Sequence, residues 1–559
     1  MSSKRIIVVG GVAGGASAAA RARRLSEEAE IIVFERGPHV SFANCGLPYY
    51  VGGEIQEEKA LLLQTPETLR ARFNLDVRVH SEVVSIDRKA KSVKIRELTS
   101  GREYDESYDA LVLAPGALPI KPPLAGIDRE GHFTVRNIPD VERIKKWLRE
   151  GVARDAVVVG GGYIGLEMAE QLKERGLNVT VVEALPQLMA PLDPEMAGWI
   201  TQELRAHGVE VILKDAVASF EAPRADERAC ASVVVLKSGR RLVADLVVLG
   251  LGVRPDTKLA KEAGLEIGAT GGIRVNDRLQ TSDPSIWAVG DAVEVRDVIG
   301  GIPGVIPLAG PANRQGRITA DNILGRDSRY QGTYGTAIVR VFKLAAACTG
   351  ANEKCLSKCG VDYHAVHLHP GSHAGYYPGA APIAIKLLFD PGTGKLLGAQ
   401  AVGTDGVDKR IDVLATALKA GMTVHDLAEL ELAYAPPFGS AKDPINLAGM
   451  AAQNVLAGDV ALAQWHEVKG LDKRGAFLLD VRTDAERKGG FIPGSTHIPL
   501  HELRNRLDEL PTDREIVVSC QSGQRSYFAC RLLNQRGFRT RNLTGSYRTW
   551  KTAVHAEAN

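Results

Sequence analysis

The sequence predicts an α/β protein of several units, and three observations predict it. Residues 1–36 read as strand, glycine-rich turn, helix and strand: RIIVVG, then GVAGGASAAARARRL, then EIIVFE. Residues 156–183, AVVVGGGYIGLEMAEQLKERGLNVTVVE, repeat that plan about 150 residues later. The last stretch alternates strands and helices again: GAFLLDVR (475–482), REIVVSC (514–520), SYFACRLLNQRG (526–537) and RTRNLTG (539–545). That is enough for one small α/β domain.

Composition bounds the rest. At ~150 residues per domain, 559 residues suggest roughly three to four domains. Hydrophobic residues at 45% and charged residues at 24% are ordinary for a globular protein and exclude a disordered or fibrous chain. The net charge of +2 gives no support to a nucleic-acid or membrane-surface role. No apolar run approaches the ~18 residues of a membrane span. RIIVVG reads as a buried strand with no targeting segment ahead of it, so a cytoplasmic protein is expected. Seven cysteines, an odd number at irregular spacing, do not make a disulfide framework.

In the first turn, Gly10 permits the tight bend. Gly14 and Gly15 let the helix pack close and offer backbone N–H groups to a pyrophosphate. Val12 stands where the middle glycine usually sits, with Ala13 after it. Glu35 ends the second strand, where an acid can bind ribose hydroxyls. The second turn, GGGYIG, is a full match through Gly160, Gly162, Tyr163, Ile164 and Gly165. Glu183 closes its second strand; an acid there accepts from a 2′-hydroxyl and repels a 2′-phosphate, favouring NADH over NADPH. Two such folds in one chain suggest two redox nucleotides passing electrons.

The order of these motifs, with LVLAPG (111–116) between them and SIWAVGDA (285–292) after them, resembles the two-dinucleotide-binding-domain flavoprotein reductases. The resemblance covers about 1–447. It implies FAD in the first fold, held by Asp291 and also by Arg36, Val83, Ala114, Gly116, Pro307, Leu308 and Ala309. It implies NADH in the second fold, with Glu167 beside it. It also implies the boundaries: FAD-binding domain 1–115 and 249–325, NAD-binding domain 116–248, and an α+β dimerisation domain 326–447. Residues 448–463, Ala-rich and without a clear period, read as a helical end and linker.

SFANCGLPYY carries Cys45 alone, without the paired Cys-x4-Cys of disulfide reductases. This string is similar to the coenzyme A-disulfide reductases and the related NADH oxidases and peroxidases. HAGYYPG and AYAPPFG point to the coenzyme A branch. There, tyrosines at the positions of Tyr376 and Tyr434 reach the partner subunit's active cysteine, which implies a homodimer. Coenzyme A needs cations for its phosphates. The resemblance carries over Arg24, Ser41, Phe42 and Asn44, with Arg21 and Lys442 as looser candidates.

Residues 464–559 resemble a rhodanese sulfurtransferase domain. FLLDVRTDAERKGGFIPGSTHIPL holds Asp480, Arg482, Glu486, Gly494 and His497; CQSGQR (520–525) is the active loop. Cys520 begins a loop that ends at a helix N-terminus, where backbone N–H groups and the helix dipole suit a thiolate or persulfide. Arg525 can add positive charge. The expected fold class is therefore α/β: two Rossmann-like dinucleotide-binding domains, an α+β dimerisation domain and a C-terminal rhodanese α/β domain.

The expected function is FAD-dependent, NADH-driven reduction of persulfide or polysulfide sulfur through Cys45, with coenzyme A as substrate or bound cofactor and Cys520 handling sulfane sulfur. Three alternatives stay open: a coenzyme A-disulfide reductase keeping thiol balance, an NADH oxidase or peroxidase, and a sulfur carrier. No metal is expected. On a strand His367 and His369 share a face while His364 points away, and His373 adds no ligand spacing. Cys348, Cys355 and Cys359 lack Cys-x2-Cys pairs. Cys230 and Cys530 read as packing residues, Cys530 being a resolving thiol only if it faces the loop.

Overall fold

The computed structural model describes residues 4–151, 153–471 and 474–557. The chain divides into two compact units: Met1–Ala184 with Asp215–Gly335, and Leu185–Lys214 with Thr336–Asn559.

The first unit carries both glycine turns. Its first sheet is parallel, in the order Ile286–Ala288, Ala110–Leu113, Arg5–Val9, Glu30–Phe34, Asp76–Arg78. Its strands are near-continuous apolar runs because both faces are covered, and Ile7, Val8 and Ile32 are fully buried. Helix Gly14–Leu25 packs against helix Ala309–Ile323, where a Cβ on Gly316 would stand 2.2 Å from the Gly14 carbonyl oxygen. Only small residues permit that crossing. The second sheet runs Asn178–Val182, Asp155–Val159, Leu246–Leu249, His132–Phe133, again parallel. Antiparallel three-stranded sheets, such as Ser81–Asp87 with Ser92–Glu97 and Glu103–Ser107, are appended to this frame.

The second unit begins with an antiparallel sheet ordered Ala337–Val341, Leu344–Gly350, Leu396–Gly403, Ile383–Phe389, His364–Leu368. Its C-terminal sheet is parallel: Ala461–Ala463, Thr540–Leu543, Ile516–Ser519, Phe477–Asp480, Thr496–His497.

Two segments differ from the sequence-based expectation. Residues 448–463 hold the expected helical end, most of helix Pro444–Leu456, but they finish in the edge strand Ala461–Ala463 where a linker was expected. Ala448 and Ala452 bury the helix face, and the strand pairs with Thr540–Leu543. Residues 185–214, expected inside an NAD-binding domain, cluster with the second unit. There helix Pro194–Ala206 packs so closely on helix Ser546–Glu557 that a Cβ on Gly198 would meet Thr552 Cγ2 at 2.8 Å.

Candidate active site

The two glycine turns fold alike. A Cβ on Gly15 would lie 1.9 Å from Gly10 O, and one on Gly165 2.0 Å from Gly160 O. Gly10 (φ 97°) and Gly160 (φ 109°) occupy backbone conformations that disfavour side chains. Gly162 opens onto free space, leaving room for a phosphate group's close approach. Ala13 caps its helix at φ 42°, so the turn without a middle glycine is completed by a strained alanine. Tyr163 and Ile164 form the first turn of the second helix.

Each turn is closed by its predicted acid. Glu35 accepts from the Gly11 N–H (3.0 Å) and the Gly37 N–H (2.8 Å); Glu183 accepts from the Gly161 N–H (2.8 Å). Around the first fold, Arg36 pairs with Asp256 at 2.9 Å. Ala114 and Gly116 follow the strand Ala110–Leu113. Pro307, Leu308 and Ala309 form the start of the helix that packs on the first one. Val83 is buried in one apolar cluster with Val93 and Ile95.

Cys45 sits in the single 3₁₀ turn Asn44–Gly46, where the Asn44 side-chain oxygen accepts from the Cys45 N–H at 3.1 Å. Partial burial pushes the Cys45 thiol up, and the Glu167 and Asp291 carboxylates push it further. The fold thus gathers residues from three distant segments of the first unit: Cys45, Glu167 of helix Tyr163–Glu174 and Asp291 of the Gly290–Ala292 turn. Burial raises the Asp291 carboxyl as well. Ser41, at φ 52°, and Phe42 lead into this turn, the Ser41 N–H donating to Gly11 O at 2.9 Å.

The three helix arginines separate by environment. Arg23 is buried, donating to Phe73, Ser26, Glu27 and Asn74 carbonyls, so it is a structural staple. Arg21 is tied to Asp321 at 2.8 Å. Arg24 is exposed, as is Lys442 in the other unit.

In the second unit the Tyr376 and Tyr434 hydroxyls lie 3.0 Å apart, both exposed. Their shared hydrogen bond raises the Tyr376 phenol. Buried Arg410 holds the two loops together through Asp443 and the Ser372 carbonyl, and the Ala374 N–H donates to Gly439 O. Cys520 is fully buried, and its Sγ accepts from the Gly523 N–H (3.1 Å) and the Ser526 hydroxyl (3.4 Å). The Cys520 N–H donates to Ser546 Oγ at 3.1 Å. Cys530 packs in the core beneath, and burial pushes its thiol up to about 12.

Two of the histidines in the 364–373 stretch have polar side-chain partners. His367 bonds Glu195 at 2.9 Å and His369 bonds Thr549 Oγ1 at 2.9 Å. The carboxylates Asp193, Glu195 and Glu353 converge as metal ligands would. The Lys386 ammonium stands among them at 2.8, 2.5 and 3.2 Å.

Residues 4–316 match the family model for pyridine nucleotide-disulphide oxidoreductases, and 336–443 match that family's dimerisation domain. The chain belongs to this family. Residues 464–553 match a rhodanese-like domain. The coenzyme A disulfide reductase of Staphylococcus haemolyticus is 35% identical over 81% of this chain and 100% of its own length. The crystal structure of reduced Bacillus anthracis CoADR-RHD superposes with a TM-score of 0.96 at 50% identity, covering 100% of this chain and 99% of that one. The NAD-dependent persulfide reductase from A. fulgidus superposes at 0.91 with 40% identity, covering 98% and 100%. This protein is thus a pyridine nucleotide-disulphide oxidoreductase of an FAD- and NAD(H)-dependent family, with a C-terminal rhodanese-like domain. Among the described residues no helix is long and apolar enough to cross a membrane.

The oxidoreductase core contains a cation that the motifs did not single out. Arg136 lies near Arg36, Asp256 and Glu35; burial lowers its pKa, and Arg36 lowers it further. No motif marks it, since it is one arginine in a short loop, FTVRN.

The acids beside Cys45 give a direct test. Replacing Glu167 by Gln removes a charge that disfavours the thiolate. The alkylation-rate pH profile of Cys45 is expected to shift down by on the order of half a pH unit. An unchanged profile contradicts this geometry.

Proposed function

We propose that this oxidoreductase reduces the sulfane sulfur of coenzyme A persulfide, or a related persulfide or polysulfide, to sulfide. The observation that carries the reading is the presence of two different sulfur sites in one chain. One is the lone thiol Cys45, facing Glu167 and Asp291. The other is Cys520, whose sulfur accepts two hydrogen bonds inside the rhodanese-like loop. Similarity across nearly the whole chain to a persulfide reductase, and across about four-fifths of it to a coenzyme A disulfide reductase, supports the substrate class.

FAD would lie along the first fold, on Gly10, Val12, Ala13, Gly14, Gly15 and Glu35, with Asp291 on its flavin side. NADH would lie on Gly160–Gly165 and Glu183. When bound, these groups supply two electrons to a disulfide at Cys45. The Cys45 thiolate attacks the persulfide sulfur that is bonded to carbon. The S–S bond breaks, hydrosulfide leaves with the proton, and a Cys45–coenzyme A disulfide remains. The two electrons then return Cys45 to its thiolate and free the coenzyme A thiol. Arg24, Ser41, Phe42 and Asn44 would hold coenzyme A, with Arg21 already committed to Asp321. Tyr376 and Tyr434 would come from the second copy in a homodimer and donate hydrogen bonds to the leaving sulfur. Seven free cysteines suit a cytoplasmic protein.

The test is anaerobic NADH consumption with coenzyme A persulfide and with coenzyme A disulfide at matched concentration, following sulfide. Faster turnover on the persulfide, with one sulfide per NADH, is the expected result. Preference for the disulfide would instead favour a thiol-balance enzyme.

A further inference from the structure

We propose that Glu486 is a specificity-determining residue of the Cys520 loop: by holding Arg525 it makes the loop accept sulfur from organic persulfides and refuse dianionic donors of the thiosulfate class. This rests on the reading of Cys520 as a sulfur-accepting thiol.

Among the described residues the hydrogen bonds to the Cys520 sulfur come from neutral donors, the Gly523 N–H and the Ser526 hydroxyl, while Arg525 reaches it only through space. The loop's own cation is taken up elsewhere. Arg525 donates to both Glu486 oxygens, at 2.8 and 2.6 Å, in a two-pronged pair. That pair holds the Glu486 carboxyl down at about 2, so the charge is present throughout the working range. Glu486 is itself fixed by the N–H and hydroxyl of Thr483, the cap of its short helix. Nearby arginines are committed too: Arg482 and Arg487 both bind Asp480, at 2.9 and 3.0 Å. Two aromatic rings accompany the pair at the surface. Phe528 is one turn beyond Arg525, Phe491 lies under the Arg487 guanidinium at 4.3 Å, and both are about half exposed.

Transfer from a persulfide, Cys-S⁻ + RSS⁻ giving Cys-SS⁻ + RS⁻, moves one negative charge in and one out. Transfer from thiosulfate, Cys-S⁻ + S₂O₃²⁻ giving Cys-SS⁻ + SO₃²⁻, brings a dianion to a thiolate. It needs a free guanidinium, and here a fixed carboxylate opposes it.

The experiment uses the full-length holoenzyme and follows thiocyanate formed when Cys-SS⁻ gives its sulfur to cyanide. The donors are glutathione persulfide and thiosulfate. Glu486→Gln is expected to raise the thiosulfate-to-persulfide ratio of kcat/KM about tenfold, the scale of one charge-assisted hydrogen bond. Adding Arg525→Met should cancel the gain, which a merely structural role for Glu486 would not produce. Should Glu486→Gln fold poorly, Glu486→Asp, too short to span both guanidinium nitrogens, should show a smaller gain in the same direction. An unchanged or falling ratio, or a gain that survives loss of Arg525, overturns the proposal. A wild-type protein that forms thiocyanate from neither donor, or as fast after Cys520→Ser, overturns the sulfur-accepting reading instead.

Discussion

Replacing Cys45 by Ser is expected to lower persulfide turnover at least ~10³-fold while flavin reduction by NADH persists. The two effects separate because different residues serve them. The dinucleotide sites are built from the two glycine turns and from Glu35 and Glu183, none of which contacts the cysteine's turn through the substituted atom. Cys45 sits on its own 3₁₀ turn, and its sulfur is the only atom changed. A hydroxyl at that position is not a nucleophile at neutral pH, and it cannot store an electron pair in a disulfide. Rapid-mixing absorbance should show NADH bleaching the flavin at nearly the wild-type rate, with sulfide release lost. Loss of both would mean that the substitution disturbed the nucleotide site. Retention of both would remove Cys45 from the chemistry.

The second large effect is on stability. Lys386 is wholly buried between Asp193, Glu195 and Glu353. Burial alone would raise the Glu195 carboxyl, but the Lys386 ammonium and the His367 bond outweigh it and hold it well below the usual carboxylate range. Burial likewise would lower Lys386, and Glu195, Asp193 and Glu353 hold it above its ordinary value. A depressed carboxyl contributes stability that is present above its unfolded value and lost as pH falls. A raised ammonium contributes stability present below its unfolded value and lost as pH rises. The network is therefore at full strength between about pH 5 and pH 10.

Lys386→Met strands buried carboxylates without their cation and should cost about 3–5 kcal/mol at pH 7. The deficit should shrink below about pH 5, where protonation neutralises the stranded groups. Denaturant midpoints at the two pH values check this. Trp465, whose indole N–H donates to Glu195 at 3.1 Å, reports the same site by fluorescence. A deficit under about 1 kcal/mol, or one independent of pH, contradicts the account.

What the sequence made legible was local. GGGYIG with VTVVE, SFANCGLPYY and CQSGQR each place a turn and its chemical group within some two dozen residues or fewer, so period and spacing suffice to read them. The Lys386 network was not legible, because its pairs with Asp193 and Glu195 join residues nearly two hundred positions apart. Lys386 itself lies in PIAIKLLFD, a run that reads as plain buried strand. The same long-range pairing explains why residues 185–214, continuous in sequence with the second glycine fold, cluster with the C-terminal unit. The role of 448–463 was hidden differently: alanine fills both a helix face and a three-residue edge strand, and leaves no period. Arg21, Arg23 and Arg24 follow one another along one helix, and the resemblance singles out Arg24, with Arg21 as a looser candidate. Only tertiary contacts distinguish the staple Arg23 from the exposed Arg24. The Glu486–Arg525 pair had half a signal, since Thr483 and Glu486 stand at capping-box spacing, but its partner lies 39 residues on.

The central claim is that sulfane sulfur is reduced through a covalent disulfide at Cys45. The most direct measurement is a single turnover without oxygen. Protein reduced with one equivalent of NADH is mixed with coenzyme A persulfide and quenched with acid. Released sulfide is quantified, and the Cys45 peptide is weighed by mass spectrometry. One sulfide per chain, together with a Cys45 peptide carrying coenzyme A at early times, is the expected result. Sulfide released with Cys45 unmodified at every time, or coenzyme A found on Cys520 instead, would contradict it.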